Sequence, residues 1–260
     1  MKAVLLGSGN AAFHIAPALR AAGVEWLQVY SRTSAHAREM AERIGAASCT
    51  DSLDEISKEA GLYLLAVSDQ ALPAIAGRLR LPGKTVAHVA GSVPLSALAP
   101  VSGHHGVMYF FQTFSKEASS PDFRKIPVCL EASDDVTANL LESLARRVSD
   151  KVCFLSSEQR EVLHIGGVFV NNYVNFMYTA ASDLFAEQDM DFSLLHPLME
   201  QTLEKALRIP PAKAQTGPAV RGDKEVLSRH LRRLSQTPQG KRYEETYRLL
   251  AHAIANRYEK

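Results

Sequence analysis

The sequence predicts an α/β fold, with an N-terminal doubly wound parallel sheet over residues 1–155 followed by an all-α C-terminal domain over residues 156–260. Three observations lead there. Short β-rich apolar runs alternate with segments of helical spacing up to about Leu155, the pattern of right-handed βαβ crossovers. After Ser156 the strand signals stop and helical spacing takes over. The first apolar run also passes directly into a glycine turn and then a helical segment.

The elements follow in order. Lys2–Leu6 is the first strand, and the helix after it contains Pro17, which is expected to kink it. Trp26–Tyr30 is the second strand and Ala35–Ile44 a helix; Ser52 with Glu55 has the spacing of a capping box. Leu62–Val67 is apolar throughout, as a strand covered on both faces requires. Further strands are expected at Thr85–Val89, Val107–Phe111, Val128–Glu131 and Val152–Leu155, with a helix over Asp134–Val148. Ser156 and Gln159 form a second capping box, opening a helical run without proline as far as His196, weakened near its start by Gly166 and Gly167. Pro210-Pro211 and Gly217-Pro218 mark a loop, and helical spacing resumes at about Lys224 and Arg242.

Composition removes several classes. With 46% hydrophobic and 22% charged residues among 260, and a net charge of +1, the chain is neither disordered nor basic enough for non-specific nucleic-acid or membrane-surface binding. No apolar run approaches the roughly 20 residues of a membrane span, and the N-terminus reaches glycine too early for a signal peptide. Three cysteines, Cys49, Cys129 and Cys153, are too few and scattered for a disulfide framework, so a reduced, cytoplasmic setting is expected. His104-His105 has no Cys or carboxylate at ligand spacing, and no metal is expected.

The main chemical signal is Gly7, Ser8, Gly9, Asn10, Ala11 and Ala12, a Gly-x-Gly-x-x-Ala turn between strand and helix. Gly7 permits the tight turn, Gly9 lets the backbone approach a pyrophosphate, and a small residue at position 12 lets the helix pack on the strand. The helix N-terminus offers N–H groups and a positive dipole end to the phosphates. The pattern predicts a Rossmann dinucleotide site, the other reading being a plain glycine turn. The second strand ends in Ser31, Arg32 and Thr33, with no carboxylate to take a ribose 2′-hydroxyl. An arginine with neighbouring hydroxyls suits a 2′-phosphate, so NADP is expected over NAD. Ala66, Val67 and Ser68, at the end of another strand, should lie against the cofactor, and Gly91 and Ser92 on its nicotinamide side. Asp69 either joins them or is only an N-cap.

These residues carry a resemblance. Gly7 to Ala12, His88 to Ser92, Gln112-Thr113-Phe114, His164 to Asn172 with Asn175, and Thr216-Gly217-Pro218 with Arg221 and Asp223 together cover most of the chain. The chain resembles the 6-phosphogluconate dehydrogenase and pyrroline-5-carboxylate reductase superfamily, and most closely its Rossmann-like branch with a DUF2520 C-terminal domain. Members of that branch are labelled NADP oxidoreductases, some of them coenzyme F420-dependent. The resemblance implies a Rossmann domain joined to an all-α domain and a homodimer packed through its helices. It names no substrate. In the broader superfamily a lysine precedes a helical asparagine by four residues. Asn172 matches the asparagine, but the lysine position falls on Val168, so that chemistry does not carry over.

His164, Asn171, Asn175, Tyr178 and Ser182 would form one stripe at 3.6 residues per turn, with Asn172 beside it. The stripe either lines an active-site cleft or is satisfied within a helix–helix or dimer interface. His164, Asn172 and Asn175 are the catalytic candidates, His164 because it can exchange protons near neutral pH. Gln112, Thr113 and Arg221 are candidates for polar groups of a small-molecule substrate, Arg221 as a carboxylate clamp or as a structural partner of Asp223. Two functions remain open: an NADP(H)-dependent oxidoreductase acting on a small carbonyl, imine or deazaflavin acceptor, and an NADP-binding sensor without turnover.

Overall fold

The computed structural model describes residues 1–258, so the last two residues of the expected C-terminal domain lie outside the described residues. The first unit is built on eight strands: β1 Lys2–Leu6, β2 Glu25–Tyr30, β3 Ser48–Thr50, β4 Leu62–Leu65, β5 Thr85–His88, β6 His105–Phe110, β7 Val128–Ala132 and β8 Val152–Phe154. They form one sheet in the order β3-β2-β1-β4-β5-β6-β7-β8, parallel except for the β6–β7 pair. Helices α1 Asn10–Ala21, α2 Ser34–Ile44, α3 Leu72–Arg78, α4 Asp135–Val148 and α5 Ser157–Gly167 accompany it.

Strand alternation divides the core between the two faces. Ala3, Leu5, Leu62 and Leu64 pack with residues of α1, α2 and α4, including Ile15, Leu19, Met40, Leu141 and Leu144. Val4, Leu6, Tyr63 and Leu65 pack on the other face with Leu72, Ile75 and Ala76 of α3. Both faces are therefore apolar, as a parallel sheet covered twice requires.

The structure adds one strand and departs from one expected cap. Strand β3 has no apolar run to announce it; its backbone pairs with Gln28–Tyr30. Helix α1 continues through Pro17. The missing proline N–H would have bonded Phe13 C=O, and Arg43 Nε donates to that carbonyl instead, at 3.2 Å. At Ser52 no capping box forms, because the Glu55 carboxylate accepts from Thr50 Oγ1 at 2.6 Å. A short 3₁₀ turn, Leu53–Glu55, results, with Asp54 N–H donating to Ser52 Oγ. The box at Ser156 does form, with Gln159 N–H donating to Ser156 Oγ and Ser156 N–H to Gln159 Oε1.

The chain divides into compact units Met1–Asn171 and Asn172–Lys260, later than the composition change at residue 156. The reason is α5, which belongs to the sheet unit. Its Arg160 is fully buried and pairs with Glu131 of β7, while Ser157 N–H donates to Glu131 Oε1 at 3.0 Å. Past α5, residues Val168–Tyr173 form a π-helical segment. The 3.6-residue period does not hold through it, so the single polar stripe inferred from spacing does not follow.

The second unit is helical: α6 Val174–Ala186, α7 His196–Arg208, α8 Pro211–Ala214, α9 Lys224–Leu234 and α10 Pro238–Tyr258. Asp189, at φ 52°, ends the run after α6, short of the expected His196. Among the described residues no helix is long and apolar enough to cross a membrane.

Candidate functional site

The glycine turn is where the fold most constrains residue type. Gly7 has φ 125°, outside the range of other residues, and a Cβ there would stand 2.1 Å from Ala66 O. Its N–H donates to Tyr30 O at 2.8 Å, tying the turn to the end of β2. Gly9 is the N-cap of α1 and supplies no side-chain cap, and the space where its Cβ would lie is open. The first N–H groups of α1 are thus not taken up by a side-chain cap, as an anion-binding helix end needs. Ala12 is fully buried against the sheet.

Around this turn lies a cavity of about 390 Å³. Gly7, Ser8 and Gly9 line it with Ser31, Arg32 and Thr33 from the end of β2 and Ala66, Val67 and Ser68 from the end of β4. Ser8 Oγ and Ser31 Oγ share a hydrogen bond of 2.8 Å, which fixes the buried Ser31 at the base. Thr33 caps the backbone of α2 without a side-chain bond. The rest of the wall is Tyr30, Ala71 and Ile75 together with His36 from the first turn of α2 and Lys116 from the loop after β6. Among the described residues no carboxylate lines the cavity, whereas Arg32 and Lys116 bring cations. It can therefore hold a polyanion, with a helix N-terminus at one side and cationic side chains at another.

A second polar group gathers at the ends of β5 and β6. Ser92 donates its hydroxyl proton to Asp69. Asp69 is consequently not the N-cap of α3, a place held by Ala71. Tyr109 Oη lies 3.0 Å from His164 Nδ1, both beside Gly91. Beneath them His88 is fully buried, its Nδ1 accepting from Ala90 N–H at 3.2 Å. Burial, reinforced by the Arg160 charge, pulls the His88 pKa down to about 4. The buried Arg160 guanidinium is committed to Glu131 and to Val93 O.

The remaining candidates are more dispersed. Gln112 and Thr113 are exposed, and Gln112 Oε1 accepts from Thr113 N–H at 2.9 Å. Asn172 and Asn175 are exposed residues of the second unit, whereas His164 belongs to the first. Arg221 is exposed in the loop before α9, and Asp223 caps that helix through Val226 N–H at 3.1 Å. The Gly217-Pro218 loop lines an apolar cavity of about 280 Å³ with Met177, Leu184, Tyr247 and Leu250. His104 Nδ1 pairs with Asp134 at 3.1 Å and His105 Nδ1 with Ser102 O at 2.9 Å. No group of three or more metal-ligating side chains gathers among the described residues.

His36, Lys116 and Tyr109 escaped the sequence reading. His36 lies in the first turn of α2, and no spacing rule ties it to Arg32, which precedes the helix. Lys116 and Tyr109 carry no local signal.

The sheet order, the glycine turn and the appended helices define a Rossmann-type dinucleotide-binding chain with a helical second unit. Residues 2–90 match the family model described as NADP oxidoreductase, coenzyme F420-dependent, and residues 126–254 match the domain of unknown function DUF2520. A Bacteroides fragilis protein provisionally classed as an NADP oxidoreductase is 36% identical, with 98% of each chain covered and a TM-score of 0.87. The chain belongs to this family of NADP oxidoreductases with a DUF2520 domain. A Thermotoga maritima protein shares the fold at 18% identity and TM-score 0.71, over 99% of this chain and 98% of that one. So does a reductive aminase of Aspergillus terreus, solved with NADPH and ethyl-5-oxohexanoate, at 15% identity and TM-score 0.63 over 98% and 92%. No curated protein matches the chain.

Proposed function

We propose that this chain is a cytoplasmic NADP(H)-dependent enzyme that moves hydride to or from a small carbonyl, imine or deazaflavin acceptor, and that it prefers NADP(H) to NAD(H). The observation that carries the reading is the one cavity in which the glycine turn, the α1 N-terminus, Arg32 and Lys116 meet, with no carboxylate among the described residues that line it. The residues suit the cofactor at each end. Gly7 to Ala12 take the pyrophosphate, and Ser31, Arg32 and Thr33 take the 2′-phosphate, with His36 and Lys116 beside them. Ala66, Val67 and Ser68 lie against the cofactor, and Gly91 and Ser92 face its nicotinamide side.

When bound, the reduced nicotinamide supplies the hydride. The chain's own task is to orient the acceptor and serve the proton on its oxygen or nitrogen. His164 has the chemistry for the proton. Asn172 and Asn175 orient the acceptor, and Gln112, Thr113 and Arg221 hold its polar groups. The active form is a homodimer joined through the helical unit, because that unit leaves much of its apolar surface uncovered.

Paired titrations of NADPH and NADH, followed by thermal stabilisation, test the reading. Wild-type protein should prefer NADPH by about tenfold or more, equivalent to roughly 1.4 kcal/mol of extra stabilisation. In Arg32→Ala that preference should vanish while NADH binding stays unchanged. Binding of neither nucleotide would sink the proposal. NADPH binding without turnover of any carbonyl, imine or deazaflavin, but with a change of assembly state, would indicate a sensor instead.

A further inference from the structure

Tyr109, the penultimate residue of β6, and His164, in the last turns of α5, form a pair 55 positions apart in sequence. Besides the 3.0 Å contact between Oη and Nδ1, their rings meet edge to face, with centroids 6.1 Å apart. Both close over Gly91, just past the end of β5. A Cβ at position 91 would come within 2.7 Å of His164 Nδ1 and 2.8 Å of Tyr109 Cζ, so only glycine admits the pair. One turn later a Cβ on Gly167 would strike the Phe111 ring at 2.7 Å. Two glycines thus let α5 lie close against this end of the sheet, the edge at which open α/β sheets take their ligands.

We propose that Tyr109 is a positioning residue that donates its hydroxyl proton to His164 Nδ1, so that the neutral imidazole carries its own proton on Nε2 and presents that N–H to the acceptor's oxygen or nitrogen. The assignment of His164 to proton handling rests on the function proposed above; the role of Tyr109 is the addition. The direction of the bond follows from donor bookkeeping. Donating to Nδ1 satisfies the phenol proton within the protein, whereas with Nδ1 as the donor the half-buried phenol would have to turn its proton to solvent.

Burial, with Cys129 and Asp69 adding and Arg160 opposing, pushes the Tyr109 phenol up to about 12, so at rest it keeps its proton. When the acceptor's heteroatom is protonated on reduction, it takes the Nε2 proton as Nδ1 takes the phenol's. A proton from solvent then returns to Nε2 and the Nδ1 proton to the phenolate, which restores the resting tautomer with one solvent proton consumed per hydride.

Ring-nitrogen NMR of the full-length protein with 15N-labelled histidine tests this, His164 being assigned by its loss in His164→Asn. The expected wild-type spectrum shows one neutral tautomer, protonated at Nε2 and bare at Nδ1. In Tyr109→Phe it should become a mixture of tautomers, while NADPH titration stays as in wild type. A wild-type spectrum with the proton on Nδ1 or divided between the nitrogens overturns the proposal. So does a Tyr109→Phe spectrum identical to wild type. Should Tyr109→Phe fail to fold, the wild-type tautomer alone decides. Failure of wild-type protein to bind NADPH would overturn the functional reading and leave the tautomer result standing.

Discussion

Single residues here are decided by what surrounds them, and His88 shows it most directly. Its position on an apolar strand makes it fully buried. Burial foremost, then the Arg160 charge, lowers its pKa from 6.5 to about 4. The unfolded chain therefore binds a proton below about pH 6.5, while the native chain does not until about pH 4. Native stability should be full above pH 6.5 and fall as the pH drops through that window, by about 2 kcal/mol between pH 7 and pH 5. Urea unfolding at the two pH values measures the loss. His88→Asn, which cannot titrate, should reduce it by a similar amount; equal losses in both proteins would contradict the assignment. The same scale separates what the chain reveals from what it hides. Gly7 and Gly9 were legible because a strand-to-helix turn demands them. Lys116 was not, because a lysine in a loop looks the same whether or not it reaches a cavity.

Elements were legible where their signals are local. The Ser156 capping box formed as its spacing requires, whereas that at Ser52 lost its carboxylate to Thr50. Cap strength should therefore differ from site to site. Asp134 accepts from Thr137 N–H at 2.9 Å, Thr137 Oγ1 at 2.8 Å and Ser133 Oγ at 2.8 Å at the start of α4. Asp134→Ala should cost about 1–2 kcal/mol in denaturant unfolding, and Ser52→Ala less than about 0.5 kcal/mol. Equal costs would mean that α4 does not depend on its cap. Strand β3 was missed because three polar-to-small residues become a strand only through their partner β2. The π segment at Val168–Tyr173 was missed because a spacing argument assumes one period throughout.

At the scale of the whole molecule, the two units differ in how much they bury. In Asn172–Tyr258 the buried apolar side chains are Ala219, Leu234 and Tyr243, while Leu198, Leu203 and Leu207 of α7 are 62–79% exposed. A helical unit with so little interior of its own needs a covering surface, which is the ground for the proposed dimer through the helices. Sedimentation equilibrium at micromolar concentration should find a dimer. The double variant Leu203→Asp, Leu207→Asp should sediment as a monomer with its helical content unchanged. A wild-type monomer would refute the dimer.

The sequence by itself determined the α/β-then-α order, the glycine turn and most strands. Those depend on side-chain period, glycine conformational freedom and caps, all set by residues close in the chain. Tertiary structure alone decided that α5 joins the sheet unit, that Lys116 and His36 stand beside Arg32, and that Tyr109 meets His164 over Gly91. These pairings join residues through sheet order and helix packing, and nothing in local spacing records which distant side chains a folded sheet will place side by side.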